Sequence, residues 1–93
     1  MNKLDQITVT IPTLNEEKNI GKCVDSVKKS GIKNIIVIDG GSTDKTIKIL
    51  KTKKIKVIQT KKKGLGFQRS IGVKKTITKY ISLIDADMRT TKD

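Results

Sequence analysis

Asp85 and Asp87, separated by one residue, follow the apolar run Tyr80-Ile-Ser-Leu-Ile84. A pair of carboxylates in that position suits a hard divalent cation, Mg2+ or Mn2+, which prefers oxygen ligands and shares them with a diphosphate. Such a cation offsets the negative charge that grows on a departing phosphate. The plainer reading is an Asx turn closing a strand. Three further polar clusters follow apolar runs in the same way. Pro12-Thr13-Leu14-Asn15-Glu16 comes after Ile7–Ile11, and Asp39-Gly40-Gly41-Ser42-Thr43-Asp44 comes after Ile35–Ile38. Lys61-Lys62-Lys63-Gly64 comes after Ile55–Gln59.

The segments between these clusters set their positions. Ile7 to Ile11 is rich in β-branched residues and reads as a strand ended by Pro12. Thr8 and Thr10 alternate with the apolar residues there, which suits a fully buried strand less well than the unbroken run Ile35–Ile38 does. Glu16 to Ser30 reads as a helix with Ile20, Cys23, Val24 and Val27 on one face and Gly31 as its C-cap. Ser42 or Thr43 can N-cap a second helix running to about Lys53, with Ile47 and Leu50 inward. Ile55–Gln59 predicts a third strand, about Gly66 to Lys75 a third helix with Ile71 and Val73 inward, and Tyr80–Ile84 a fourth strand. Strand–helix alternation predicts a single α/β domain over residues 1–93, with a mostly parallel sheet and right-handed crossovers. Parallel sheets bind ligands at the carboxyl ends of their strands. All four clusters fall at that rim.

Composition narrows the function. Ninety-three residues allow one compact domain, and no stretch approaches the roughly 20 apolar residues of a membrane span. Cys23 is the only cysteine and has no internal partner, and Met1–Asp5 lacks a signal-peptide pattern; both predict a cytoplasmic protein. The net charge of +12 comes almost wholly from lysine and attracts phosphates of any kind, including an inner-membrane surface. Arg69, Arg89, Phe67 and Tyr80 are the only arginines and aromatics, too few for specific nucleic-acid readout. No Gly-x-x-x-x-Gly-Lys-Ser/Thr is present. Gly64-Leu-Gly-Phe-Gln-Arg69 carries Arg69 where a dinucleotide fingerprint needs its third glycine.

The series Ile11-Pro-Thr-Leu-Asn-Glu16, Val37-Ile-Asp-Gly-Gly-Ser-Thr-Asp44 and Ile84-Asp-Ala-Asp-Met88 resembles family 2 glycosyltransferases of the GT-A fold, over essentially the whole chain. Gly64 to Gly72 is similar to the family's Gly-x-x-x-Ala-Arg-Asn-x-Gly, with Gln68 and Ser70 in place of alanine and asparagine. The resemblance implies a Rossmann-like three-layer sandwich, truncated after the Asp-x-Asp strand, that binds a UDP-sugar or GDP-sugar. Pro12, Thr13, Asn15, Glu16, Asp39, Gly40, Arg69, Asp85, Ala86 and Asp87 are the implied nucleotide-sugar contacts. Asp87 is the implied metal ligand, with Asp85 beside it or near the ribose.

Several of these residues keep two readings. Asp39 accepts a base N–H or closes a turn; Asn15 frames the base or N-caps the first helix. Glu16 contacts nucleotide or complements a helix N-terminus, and Asp44 is assigned only that structural role, in the first turn of the second helix. Arg69 or Lys63 approaches the diphosphate or stays on the surface, and Cys23 is a core side chain. The implied full enzyme transfers the sugar to an acceptor with inversion, which requires a general base. No catalytic residue is assigned within the chain, because the family places base and acceptor pocket after the Asp-x-Asp strand. The alternatives are a non-catalytic nucleotide-binding module and a small basic nucleic-acid-binding protein. Exposed apolar surface at one sheet edge predicts self-association.

Overall fold

The computed structural model describes residues 3–61 and 64–86. After a 3-10 turn (Lys3–Gln6) come β1 (Ile7–Thr13), α1 (Ile20–Lys29), β2 (Asn34–Asp39), α2 (Thr46–Thr52), β3 (Lys56–Gln59), α3 (Leu65–Lys75) and β4 (Tyr80–Leu83). Every strand pair is parallel, in the order β3-β2-β1-β4. Parallel neighbours need crossovers, and the helices supply them. The chain steps outward from β1 to β2 to β3, then returns through α3 to lay β4 on the far side of β1. Strand order therefore reverses between β1 and β4, which opens a crevice at their carboxyl ends.

Side chains alternate across a strand, so each face of the sheet has its own cover. Val9, Ile11, Ile35 and Val37 join Ile20, Cys23, Val24 and Val27 of α1, Leu50 of α2 and Ala86 in one buried cluster. Thr8, Thr10, Ile36 and Ile38 are buried on the opposite face, where α3 packs on β1 and β2. The two threonines are thus interior despite their hydroxyls. Thr8 Oγ1 hydrogen-bonds Thr78 Oγ1 at 2.6 Å. A Cβ on Gly72 would lie 3.0 Å from Thr10 Cβ, so a small residue on each element lets α3 sit close.

Pro12 does not end β1; it pairs with Ile38 inside the sheet. Thr10 accepts a hydrogen bond from Ile84 N–H on the β4 side, and Pro12, two residues on, faces the same side. The last β4 pair is Thr10 with Leu83. The missing N–H of Pro12 therefore falls beyond β4, where no ladder bond is lost.

Other boundaries shift for local reasons. α1 begins at Ile20 with Asn19 at the N-cap position, because Glu16–Asn19 form a turn whose carbonyl at Glu16 accepts from Asn19 and Ile20. Gly31 takes φ 96° and its N–H donates to Lys28 O, ending α1 as expected. α2 begins only at Thr46, so Asp44 precedes the helix. Ile49, with Leu50, faces the core there, whereas Ile47 is half-buried outside that cluster. On α3 the inward residues are Gln68 and Gly72, and Val73 is 51% exposed. Among the described residues no helix is long and apolar enough to cross a membrane.

Candidate functional site

Thr13 and Asp39 are register partners at the ends of β1 and β2, and both are buried. Thr13 Oγ1 donates to Asp39 Oδ1 at 2.9 Å, and Ser42 Oγ donates to the same oxygen at 2.5 Å. Asp39 Oδ2 accepts from the N–H groups of Gly41 (2.9 Å) and Ser42 (2.8 Å). A carboxylate offers about four lone-pair sites. All are taken, and Asp39 is 0% exposed. The aspartate folds the Gly40–Ser42 turn and pins it to β1.

The loops after β1 and β2 lace together through side chain to backbone bonds. The N–H groups of Asn15, Glu16 and Glu17 donate in turn to Ser42 Oγ, Thr46 Oγ1 and Asp44 Oδ2. In return Asn15 Oδ1 accepts from the N–H of Thr43 (2.7 Å) and Asp44 (3.2 Å), and Glu17 Oε1 accepts from Lys45 N–H (2.9 Å). Asn15 holds this position at φ 53°, a left-handed conformation that asparagine tolerates. It therefore caps the opposite loop and not α1. Asp44 Oδ1 accepts from Thr46 N–H (2.9 Å) and Thr46 Oγ1 (2.5 Å), which caps α2 from just outside it. Desolvation pushes the Asp44 carboxyl upward. The hydrogen bonds from the Thr46 hydroxyl and N–H, with those from the N–H of Glu17 and of Asp44 itself, outweigh it and hold the pKa below the usual 3.8.

A cavity of about 410 Å3 opens on the rim, lined by Pro12, Thr13, Leu14, Glu16, Gly64, Gln68, Asp85 and Ala86. It lies at the carboxyl ends of β1 and β4, the switch point of the sheet. A second cavity, about 510 Å3, is larger but lies at the opposite end, against Asn34 and Lys56 where β2 and β3 begin. Size favours that one; strand polarity and the gathered polar groups favour the rim.

The loop after β4 is held from below. Ala86 is buried in the core, and Cys23 Sγ lies 3.8 Å from Asp85 O, a weak thiol hydrogen bond. Asp85 stays at the rim, where its Oδ1 accepts from Arg69 Nη2 at 2.9 Å. The pair is 40% and 47% exposed, so it contributes little stability. Arg69 Nε is buried and has no hydrogen-bond partner among the described residues. The second Asp85 oxygen likewise meets no donor among them. A hard cation fits this oxygen-rich rim if diphosphate and water complete its shell. Among the described residues no three His, Cys, Asp or Glu side chains gather as a metal cage.

The structure thus brings Pro12, Thr13, Glu16, Asp85 and Ala86 together around one cavity. Asp39, Gly40 and Asn15 stand behind it as loop architecture, and Arg69 reaches it through Asp85. Asp87 and Lys63 lie outside the described residues. Leu14 and Gln68 line the cavity without having been singled out as contacts. Leu14 carried a signal, being the one large apolar residue in a polar loop, and it is 38% exposed. In the sequence Gln68 stands out only as a departure from the family pattern.

Residues 8–93 match the model of the glycosyl transferase family 2. An uncharacterized protein of Methanocaldococcus jannaschii is 41% identical over 87 residues, covering 89% of this chain and 36% of its own length. The glycosyltransferase GlyA of Streptococcus pneumoniae is 33% identical over 90 residues, covering 89% of this chain and 13% of its own. Glucosyl-3-phosphoglycerate synthase from Mycobacterium tuberculosis, solved with UDP, superposes with a TM-score of 0.81 at 26% identity, over 90% of this chain and 34% of that one. The same enzyme has been solved with Mn2+, UDP-glucose and phosphoglyceric acid, and matches with a TM-score of 0.79 over 88% of this chain. The chain therefore spans about a third or less of the length of these relatives. With a four-stranded parallel sheet of matching architecture and a family match over nearly its whole length, the chain belongs to glycosyl transferase family 2 and has the GT-A fold.

Proposed function

We propose that the rim cavity binds the nucleotide diphosphate of a nucleotide sugar, with a divalent cation, as the donor side of glycosyl transfer. The observation that carries this is the cavity at the β1/β4 switch point, where Thr13, Glu16, Gln68 and Asp85 meet. The UDP, Mn2+ and UDP-glucose held by the mycobacterial neighbour support the ligand class. Leu14 and Pro12 give the nucleobase an apolar wall, and Thr13 is held in place by Asp39. Asp85 and Arg69 put one carboxylate and one cation beside the place where a diphosphate would lie. Asp85 and Asp87 are the proposed holders of Mg2+ or Mn2+, which when bound stabilises the charge on the leaving nucleotide. Acceptor recognition and an inverting displacement, with its general base, are proposed for the whole enzyme.

Backbone amide NMR on the 15N-labelled chain tests this site. UDP with Mg2+ should shift Thr13, Leu14, Glu16 and Gln68 and leave Asn34, Ile36 and Lys56 of the opposite cavity unmoved. Shifts confined to the opposite cavity would reject the assignment.

A further inference from the structure

The second cavity, where β2 and β3 begin, has a cationic lining. Lys28, Lys33, Lys54, Lys56 and Lys75 all line it and are all exposed, against a single carboxylate, Asp5. None of the five pairs with a carboxylate among the described residues. Five of the chain's nine acidic residues, Glu16, Glu17, Asp39, Asp44 and Asp85, lie instead at the strand ends and loops of the rim. Carboxylates thus gather at one end of the strands and leave the lysines of the other end uncompensated.

Helix C-termini account for part of this. Lys28 and Lys75 stand in the last turns of α1 and α3, where a cation offsets the helix dipole, and Lys28 Nζ also donates to Lys53 O at 2.9 Å. Lys33 and Lys56 have no such role: one precedes β2 and the other opens β3. Lys54 is held at φ 58° just past α2, its N–H donating to Lys51 O and that of Ile55 to Leu50 O. Glycine normally ends a helix in this position and conformation, so a lysine there carries a conformational cost.

An apolar residue stands among these cations. Ile77 lines the same cavity and is 97% exposed. Lysines around a free aliphatic side chain suit a surface that is anionic outside and apolar just beneath, which an acidic lipid membrane offers. A soluble polyanion makes no use of Ile77. Nucleic acid is read with arginines and aromatic rings, neither of which lines this cavity.

We infer that this face docks on an anionic lipid surface, the lysines meeting headgroup phosphates and Ile77 entering the interface. Docking here is independent of what the rim binds. Strand β1 carries Thr8 at this cavity and Thr13 at the other, so the rim faces away from the lipid.

The experiment is cosedimentation of the chain with phosphatidylcholine vesicles, with and without phosphatidylglycerol. Binding should require phosphatidylglycerol. Each lysine near such a surface strengthens binding about fivefold, so Lys33→Gln, Lys54→Gly and Lys56→Gln together should weaken it on the order of a hundredfold. Lys18→Gln, Lys22→Gln and Lys45→Gln remove the same charge from the rim loops and the first turn of α1, and should weaken it less than about fivefold. Ile77→Gln, with net charge unchanged, should weaken it about tenfold. Should the first triple variant not fold by thermal denaturation, Lys54→Gly alone decides, with a loss of about fivefold expected and no loss overturning the inference. Equal losses in the two triple variants would show attraction by net charge alone and overturn the assignment of this face. Undiminished binding of Ile77→Gln would overturn lipid as the partner in favour of a soluble polyanion. Equal binding to both kinds of vesicle, or to neither, overturns the inference outright. None of these outcomes touches the nucleotide site.

Discussion

Thr13 and Asp39 face each other across β1 and β2, and the 2.9 Å hydrogen bond between their side chains joins the cavity wall to the turn behind it. Thr13 lines the cavity; its partner is wholly buried. The geometry of the cavity wall therefore depends on a buried aspartate behind it.

Asp39→Ala should be a stability mutant. It strands the hydroxyls of Thr13 and Ser42 and two backbone N–H groups, and even one stranded buried group costs about 1–3 kcal/mol. Asp39→Asn should be milder, because its oxygen can take the two N–H bonds while its NH2 donates to the two hydroxyls. Urea denaturation should place alanine well below asparagine, and asparagine just below wild type. Equal midpoints for all three would mean the turn forms without the carboxyl.

Asp44 predicts a specific acid sensitivity. Its folded-state pKa is lowered, so its contribution is present above the unfolded value near 3.8 and is lost as pH falls through the folded value. Stability of wild type relative to Asp44→Asn should be constant above pH 5 and should shrink below about pH 4. A difference that does not change on acidification would show that the caps on Thr46 and Glu17 do not depend on the charge.

The β4 edge predicts self-association of these 93 residues. Among the described residues β4 is an outer strand, and Tyr80 and Leu83 on it are 54% and 43% exposed, with Ile77 just before it at 97%. Unprotected apolar edges pair with other chains. Sedimentation should show a concentration-dependent increase in mass, reduced by Leu83→Lys. A strict monomer at millimolar concentration would contradict this.

The strand–helix alternation and the rim were legible in sequence because they depend on local patterns: unbroken Ile35–Ile38, the amphipathic face of α1, Gly31 at its end. Pro12 misled because its effect depends on where β4 ends, a fact about another strand. Asn15 was readable as a capping residue and Asp44 as a charge at a helix N-terminus, but neither as a bridge across loops, since the N–H groups of Thr43 and Glu17 that they hold lie 28 and 27 residues away. Asp39 drew attention as a charge in a turn; only burial showed that its charge faces inward. Gln68 gave no signal alone, because its carboxamide fills the space over Gly40.

Nucleotide diphosphate and metal are proposed to bind together at the rim. Calorimetric titration of UDP into the chain, with Mn2+ and again with EDTA, tests it most directly. Binding should be clearly tighter with Mn2+, and that difference should be lost in Asp87→Ala with the fold intact. Identical UDP affinity with and without metal would contradict it.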